Sequence, residues 1–236
     1  MEYNKPFKSD FNKNYMIKLN FIKLKLPWQF DHYSDPPLGT LSVAAEARKR
    51  SNLEVNLTDL AHEEKIPESS IYAFSASTLE YPEAQKKAAE IKKQFPNSKI
   101  IVGGPHFDTL PENYWNKNIN NLAFDVICRG EGETTVGRAI NHLVKNSNKK
   151  RVITQNIPLL QLDSLELPAR DLLDKKRYFK PGKTFGTEEF SKGNSSTIMV
   201  SRGCPHNCSF CASPELHKND ILPALKYGVS IGYSTQ

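Results

Sequence analysis

The sequence predicts an α/β protein in which helices cover both faces of a parallel sheet. Three observations carry this. Short apolar runs alternate along the chain with stretches of helical length. Most of the runs are nearly continuous, as strands buried on both faces require. Several of them end in loops rich in small residues, where a backbone can turn sharply.

The elements follow in order. Residues 16–26 alternate apolar and polar with one slip at Phe21-Ile22, which predicts a first strand carrying a bulge. Pro36-Pro37 marks a loop over 27–39. Residues 39–51 form a helix whose apolar side is Leu41, Ala44, Ala45 and Ala47. Leu53, Val55 and Leu57 make a second strand ending at Asp59, and residues 71–74 make a third. A helix rich in Ala, Lys and Glu covers 80–95. Residues 100–102 are a fourth strand, closed by Gly103-Gly104-Pro105. Residues 124–128 are a fifth, followed by Arg129-Gly130-Glu131-Gly132-Glu133 and a helix to about residue 144. Residues 1–146 thus form one domain, 147–194 a linker, and 195–236 the start of a second unit. That unit opens with a short strand over 197–200, aimed at a group of cysteines.

Composition narrows the class. Of 236 residues, 38% are hydrophobic and 25% charged, which supports a folded core. No apolar run approaches the roughly 18 residues of a membrane span, and residues 1–10 lack the apolar core of a signal peptide. A soluble, cytoplasmic protein is expected. The net charge is +6, and residues 147–236 hold 13 basic against 8 acidic side chains. An anionic partner is one reading of that excess; a solvated Lys-rich surface is the other, since no basic run exceeds three residues.

In parallel sheets of this kind, ligands bind outside the carboxyl ends of the strands. Three such ends carry small-residue loops: Ser75-Ala76-Ser77-Thr78, Gly103-Gly104-Pro105-His106 and Gly130-Glu131-Gly132-Glu133. The candidate binding residues are therefore Ser75, Ser77, Thr78, Gly103, Gly104, Pro105, His106, Gly130 and Glu131. The dinucleotide fingerprint G-x-G-x-x-G is missing, because Gly130-x-Gly132 continues to Thr135. Glu131 and Glu133 suit a helix N-terminus, where the macrodipole favours carboxylates.

Cys204, Cys208 and Cys211 fall within eight positions, as C-x3-C-x2-C. Three thiolates on one loop can hold three irons of a cubane cluster and leave the fourth open to a chelating molecule. A structural zinc site made of the three cysteines and His206 is an alternative, although no second Cys/His pair follows. Cys128 ends an apolar strand and reads as a core residue.

Taken in order, these motifs resemble the radical SAM proteins that carry an N-terminal B12-binding domain. Cys204-x3-Cys208-x2-Cys211, with Phe210 and the preceding Ser201-Arg202-Gly203, is similar to the radical SAM signature. Pro36-Pro37-Leu38-Gly39, Val102-Gly103-Gly104-Pro105-His106 and Arg129-Gly130-Glu131-Gly132-Glu133 resemble motifs of the B12-binding domain. Leu167-Pro168-Ala169-Arg170-Asp171-Leu172-Leu173 resembles the segment joining the two domains. The resemblance implies a Rossmann-like, flavodoxin-like B12-binding domain, then the start of a partial (β/α) barrel. It implies a [4Fe–4S] cluster on Cys204, Cys208 and Cys211, S-adenosylmethionine on the open iron, and cobalamin. It implies radical methyl transfer or cyclisation on a small molecule, with an electron donor such as flavodoxin or ferredoxin.

Some features depart from that pattern. The cobalt-ligating D-x-H-x-x-G of another B12 class is missing; Asp59-Leu60-Ala61-His62 has one residue too many, so cobalamin is expected without that histidine. His106 is the other histidine placed to approach cobalt, and a plain loop role competes with it. Only 25 residues follow Cys211, whereas a full barrel takes roughly 250. The sequence therefore predicts the cofactor loop without its enclosing chamber, with a second chain as one way of completing the barrel. Two other classes remain open: a non-catalytic cobalamin- or ligand-binding module with a vestigial cysteine loop, and a zinc-containing nucleic-acid binder.

Overall fold

The computed structural model describes residues 16–29, 31–33, 36–145, 149–155, 162–178, 197–199, 202–203, 206 and 208–216. Six strands form one parallel sheet: β1 (Ile17–Lys23), β2 (Leu53–Asp59), β3 (Ile71–Ser75), β4 (Lys99–Gly103), β5 (Val126–Arg129) and β6 (Arg151–Thr154). Their spatial order is β2-β1-β3-β4-β5-β6. The order reverses between β1 and β3, and the carboxyl ends beside such a switch point form a natural crevice.

Two helices, α1 (Leu38–Arg48) and α5 (Gly132–Lys145), pack side by side on one face. The other face carries α2 (Tyr81–Gln94) and the short helices α3 (Pro105–Asp108) and α4 (Glu112–Asn118). Alternate residues of the strands inside edge strand β2 feed the two cores. Leu19, Phe21, Ala73, Ile101 and Cys128 join Ala44, Ala47, Val136 and Ile140 under α1 and α5. Ile22, Tyr72, Phe74, Ile100, Val102 and Ile127 join Ala84, Ala88, Ile91, Phe107 and Trp115 under α2 to α4. Alanine on the sheet-facing sides of α1 and α2 lets both helices lie close to the strands.

The bulge expected at Phe21-Ile22 is absent. β1 runs in unbroken parallel register with β2, from Ile17 opposite Leu53 to Lys23 opposite Asp59. Two adjacent apolar residues are simply what a central strand covered on both faces presents. The stretch expected to be a linker instead supplies β6, which pairs with β5 from Arg151 opposite Val126 to Thr154 opposite Arg129. The joining segment is also docked. Ala169 N–H donates to Leu41 O at 3.1 Å, Arg48 pairs with Asp171 at 2.8 Å, and Leu173 and Tyr178 pack on Leu41. Tyr178 closes α6 (Lys175–Tyr178). Residues 197–199 lie outside any strand, and residue 200 lies outside the described residues.

A polar hub closes the β1/β2 end. Asp59, 3% exposed, accepts a 2.5 Å hydrogen bond from the Tyr178 hydroxyl and lies 3.4 Å from Lys23 Nζ. Burial raises the Tyr178 pKa and the Asp59 carboxylate raises it further. Burial lowers that of Lys23 against the pull of Asp59. The histidine of the rejected cobalt motif, His62, has Nδ1 3.8 Å from Asp59 Oδ2. It belongs to this hub.

Candidate functional site

The rim loops interlock through their backbones. Gly104 adopts φ 101° and ψ 175°, a combination essentially restricted to glycine. A Cβ there would lie 2.7 Å from Ala76 N and 2.8 Å from Ala76 O. That close approach lets Ala76 N–H donate to Gly103 O at 2.9 Å and His106 N–H donate to Ala76 O at 3.1 Å. The β4 loop is then tied to the β5 loop. Arg129, 6% exposed, donates from Nε to Phe107 O at 2.8 Å and from Nη2 to Leu110 O at 2.7 Å. Gly130 N–H donates to Asp108 Oδ1 at 2.6 Å. From the end of β6, Gln155 accepts the Glu131 N–H at 2.7 Å.

These loops surround a cavity of about 240 Å³ at the carboxyl ends of the strands. Its floor is apolar: Phe21, Ala73, Ile101 and Cys128. Gly39, Thr40 and Val43 of α1 form one wall, and Gly132, Thr135 and Val136 of α5 the other. Ser75, Gly103, Gly104, Pro105, Gly130 and Glu131, six of the nine residues named from the sequence, form the rim. Leu216 of α7 (Ser213–Leu216) also lines the cavity. An apolar slot with polar groups at its mouth suits part of a large amphipathic ligand.

The other three of the nine expected binding residues, Ser77, Thr78 and His106, do not line the cavity. Ser77 opens the turn that leads into α2: its N–H donates to Glu80 Oε2 at 2.7 Å, and its carbonyl accepts the Glu80 N–H at 3.1 Å. Thr78 Oγ1 lies 3.2 Å from His106 Nδ1. The His106 ring stacks on Tyr81 at 4.0 Å, and burial lowers its pKa, which favours the neutral imidazole. Cys128 is a core residue that also forms pocket floor, with its thiol pushed up to about 12 by burial.

Cys204 lies outside the described residues. Cys208 and Cys211 are free, exposed thiols on one turn, closed by Cys211 N–H donating to Cys208 O at 3.1 Å. Ser213 N–H approaches Cys211 Sγ at 3.4 Å and lowers the Cys211 pKa. His206 is exposed, and no group of three or more His, Cys, Asp or Glu side chains among the described residues gathers around a common point. The lead-in to this turn reaches the pocket rim. Arg202 Nη1 lies 2.6 Å from Glu131 Oε2, and Nη2 lies 2.6 Å from Glu133 Oε1. Burial disfavours the guanidinium charge, and Glu133 and Glu131 overcome it, so the Arg202 pKa is raised. Composition and spacing carried no signal for this clamp, for Gln155, or for the α1 wall.

The comparisons with known proteins agree with this architecture. Residues 33–140 match the B12 binding domain family. That span covers the pocket walls and rim, and β1 and β6 complete its sheet from outside. An uncharacterized methyltransferase of Pyrococcus horikoshii is 28% identical over 199 residues, or 75% of this chain and 40% of that protein. The cobalamin-dependent radical SAM methyltransferase TokK of Streptomyces tokunonensis is 24% identical over 160 residues, covering 62% of this chain and 22% of TokK. The cobalamin-dependent S-adenosylmethionine radical enzyme OxsB, solved with aqua-cobalamin and S-adenosylmethionine, superposes with a TM-score of 0.58 at 20% identity. That match covers 83% of this chain and 28% of OxsB, and it shows the shared fold. Residues 33–140 thus match a B12 binding domain, and the similar proteins include methyltransferases, TokK among them a cobalamin-dependent radical SAM one. The chain spans about 40% of the length of the Pyrococcus relative.

Proposed function

We propose that this chain carries the cobalamin-binding and cluster-binding parts of a radical SAM enzyme that transfers a methyl group to a small-molecule substrate. One observation carries the reading: Leu216, five residues beyond Cys211, lines the same pocket as Gly103, Gly104, Gly130 and Glu131. The cysteine turn therefore lies beside the rim of the B12 binding domain.

The residues present fit both groups. A slot of about 240 Å³ is far smaller than a corrin ring, so it would take one arm of cobalamin and leave the ring at the rim. The apolar floor of Phe21, Ala73 and Ile101 would desolvate that arm. Ser75 and the backbone at Gly103, Gly104 and Gly130 would orient it. No D-x-H-x-x-G histidine takes part, and His106 stays occupied by Tyr81 and Thr78. Cys208 and Cys211 expose two thiols on one turn, the donor chemistry that iron–sulfur clusters use. With Cys204 they would hold a [4Fe–4S] cluster. Bound here, the cluster with S-adenosylmethionine would supply one-electron chemistry and cobalamin a transferable methyl group. A flavodoxin- or ferredoxin-type donor would supply the electron, and a second chain completing the barrel belongs to the same reading. No helix among the described residues is long and apolar enough to cross a membrane, consistent with a cytoplasmic enzyme.

Anaerobic reconstitution with iron, sulfide and hydroxocobalamin tests this. The expected result is cluster absorbance that changes on adding S-adenosylmethionine, together with bound corrinoid. Cys208→Ala is expected to lose the iron and keep the corrinoid. Unchanged iron content in that variant, or stoichiometric zinc in place of iron, overturns the assignment.

A further inference from the structure

Among the described residues, little apolar packing holds the cysteine segment to the sheet domain. Ile198 is 69% exposed, Met199 is half exposed, and Phe210 is 91% exposed. Leu216 makes the apolar contact, at the far end of the segment. Hydrophobic burial is non-directional in any case and sets orientation poorly. The polar ties on the near side are specific. Arg170 Nη2 donates to Thr197 O, and Arg170 belongs to the segment docked on α1 through Asp171 and Arg48. Arg202 then bridges Glu131 of the β5–α5 loop and Glu133 of the first turn of α5 at 2.6 Å each. All three side chains are well buried: Arg202 is 16%, Glu131 15% and Glu133 3% exposed. Directly after the clamp, Gly203 takes φ 84° and turns the chain toward the cysteines.

The chemistry of this clamp is selective. A guanidinium presents several N–H donors in a rigid plane, so one side chain can meet two carboxylates in a fixed relative direction. A lysine ammonium is a single flexible point charge and does not fix that direction. Glu133 lies in the first turn of the 14-residue helix α5, so one end of the clamp is anchored to a rigid element. Glu131 lines the pocket, so the other end is anchored to the rim.

We propose that Arg202 is a positioning residue that locks the cysteine segment onto the rim of the B12 pocket by bridging Glu131 and Glu133. The orientation of the cysteines relative to the pocket is then set by this clamp and by Arg170. The inference deepens the functional reading above but rests on geometry present without any cofactor.

The test uses the full chain in two arms. In the first, without cofactors, hydrogen exchange is followed at residues 206–216 and across the sheet. Arg202→Ala and Arg202→Lys are each expected to speed exchange at 206–216 at least tenfold, with β1 to β5 protected as before. Glu131→Gln, which leaves Arg202 paired with Glu133, is expected to give a smaller increase. It remains informative should loss of Arg202 unfold α5. Unchanged exchange at 206–216 in Arg202→Ala and Glu131→Gln overturns the proposal. In the second arm the chain is reconstituted with iron, sulfide and hydroxocobalamin and then reduced. The cob(II)alamin EPR signal is expected to be broadened by the reduced cluster in wild type and narrowed in Arg202→Lys at equal iron and cobalt content. Equal broadening in both contradicts a positioning role. Failure of the wild type to bind either group overturns the functional reading instead, and leaves the clamp to be judged by hydrogen exchange.

Discussion

Replacing Gly104 with alanine tests how the rim is built. At φ 101° and ψ 175°, any other residue pays backbone strain of about 1–3 kcal/mol. The new Cβ would also sit 2.7 Å from Ala76 N and 2.9 Å from Ser75 Oγ. The serine can rotate away, but the Ala76 backbone cannot move without stretching its bonds to Gly103 and His106. Losing those two hydrogen bonds costs about 0.5–1.5 kcal/mol each. The total is roughly 2–6 kcal/mol, a large part of the ~5–15 kcal/mol that holds a typical domain. Gly39→Ala is the control, because a Cβ at Gly39 meets nothing within 4 Å and the residue lies in α1. Urea unfolding followed by circular dichroism reads both variants. Gly104→Ala is expected to lose at least about 2 kcal/mol and Gly39→Ala to stay within about 1 kcal/mol of wild type. A Gly104→Ala variant within about 0.5 kcal/mol of wild type would refute the strain and close-approach argument.

Other consequences can be measured in the same way. Because burial raises the Cys128 thiol from 9.0 to about 12, the unfolded chain releases this proton first on raising the pH. Stability is therefore lost between about pH 9 and 12, at up to ~1.4 kcal/mol per pH unit. Cys128→Ala is expected to lack this component, seen as the difference between the two pH–stability profiles; parallel profiles contradict it. Removing the buried Arg129 by substitution with methionine takes its donors from the Leu110 and Phe107 carbonyls, of which Phe107 O keeps the Trp115 Nε1–H, at about 1–3 kcal/mol. It is expected to raise hydrogen exchange at residues 105–110 before the rest of the sheet. Tyr178→Phe removes the hydroxyl that meets buried Asp59 and is expected to cost about 1.5–3 kcal/mol in chemical unfolding. A loss below about 0.5 kcal/mol would mean that Lys23 and the Ala61 N–H satisfy that carboxylate without the hydroxyl.

Much of the sheet was legible because apolar runs ending in glycine leave little choice. The run at residues 100–102 closed by Gly103-Gly104 became β4, and the rim loops followed from the strand ends. The slip at Phe21-Ile22 misled because period-two alternation fails for a strand buried on both faces. β6 was hidden by its length of four residues and by Lys149-Lys150-Arg151, which reads as a solvated stretch. Its role emerges only through pairing with β5. Gly39 was reached only through the resemblance of Pro36-Pro37-Leu38-Gly39, and Thr40 and Val43 gave no sign of being pocket wall, since that role depends on α1 lying beside α5. Arg202 and Glu131 stand 71 positions apart, and no local pattern reports a clamp of that span. Ser77 and Thr78 came from a loop rich in small residues; in the structure Ser77 bonds to Glu80 in the turn before α2 and Thr78 meets His106.

The central claim is that the slot between α1 and α5 takes part of cobalamin, and equilibrium dialysis of the full chain with hydroxocobalamin tests it most directly. Wild type is expected to bind one equivalent. Gly39→Trp fills the slot from the α1 wall, where a Cβ has open space; it is expected to bind at least tenfold more weakly with an unchanged unfolding midpoint. No binding by wild type, or equal binding by a folded Gly39→Trp variant, would contradict the claim.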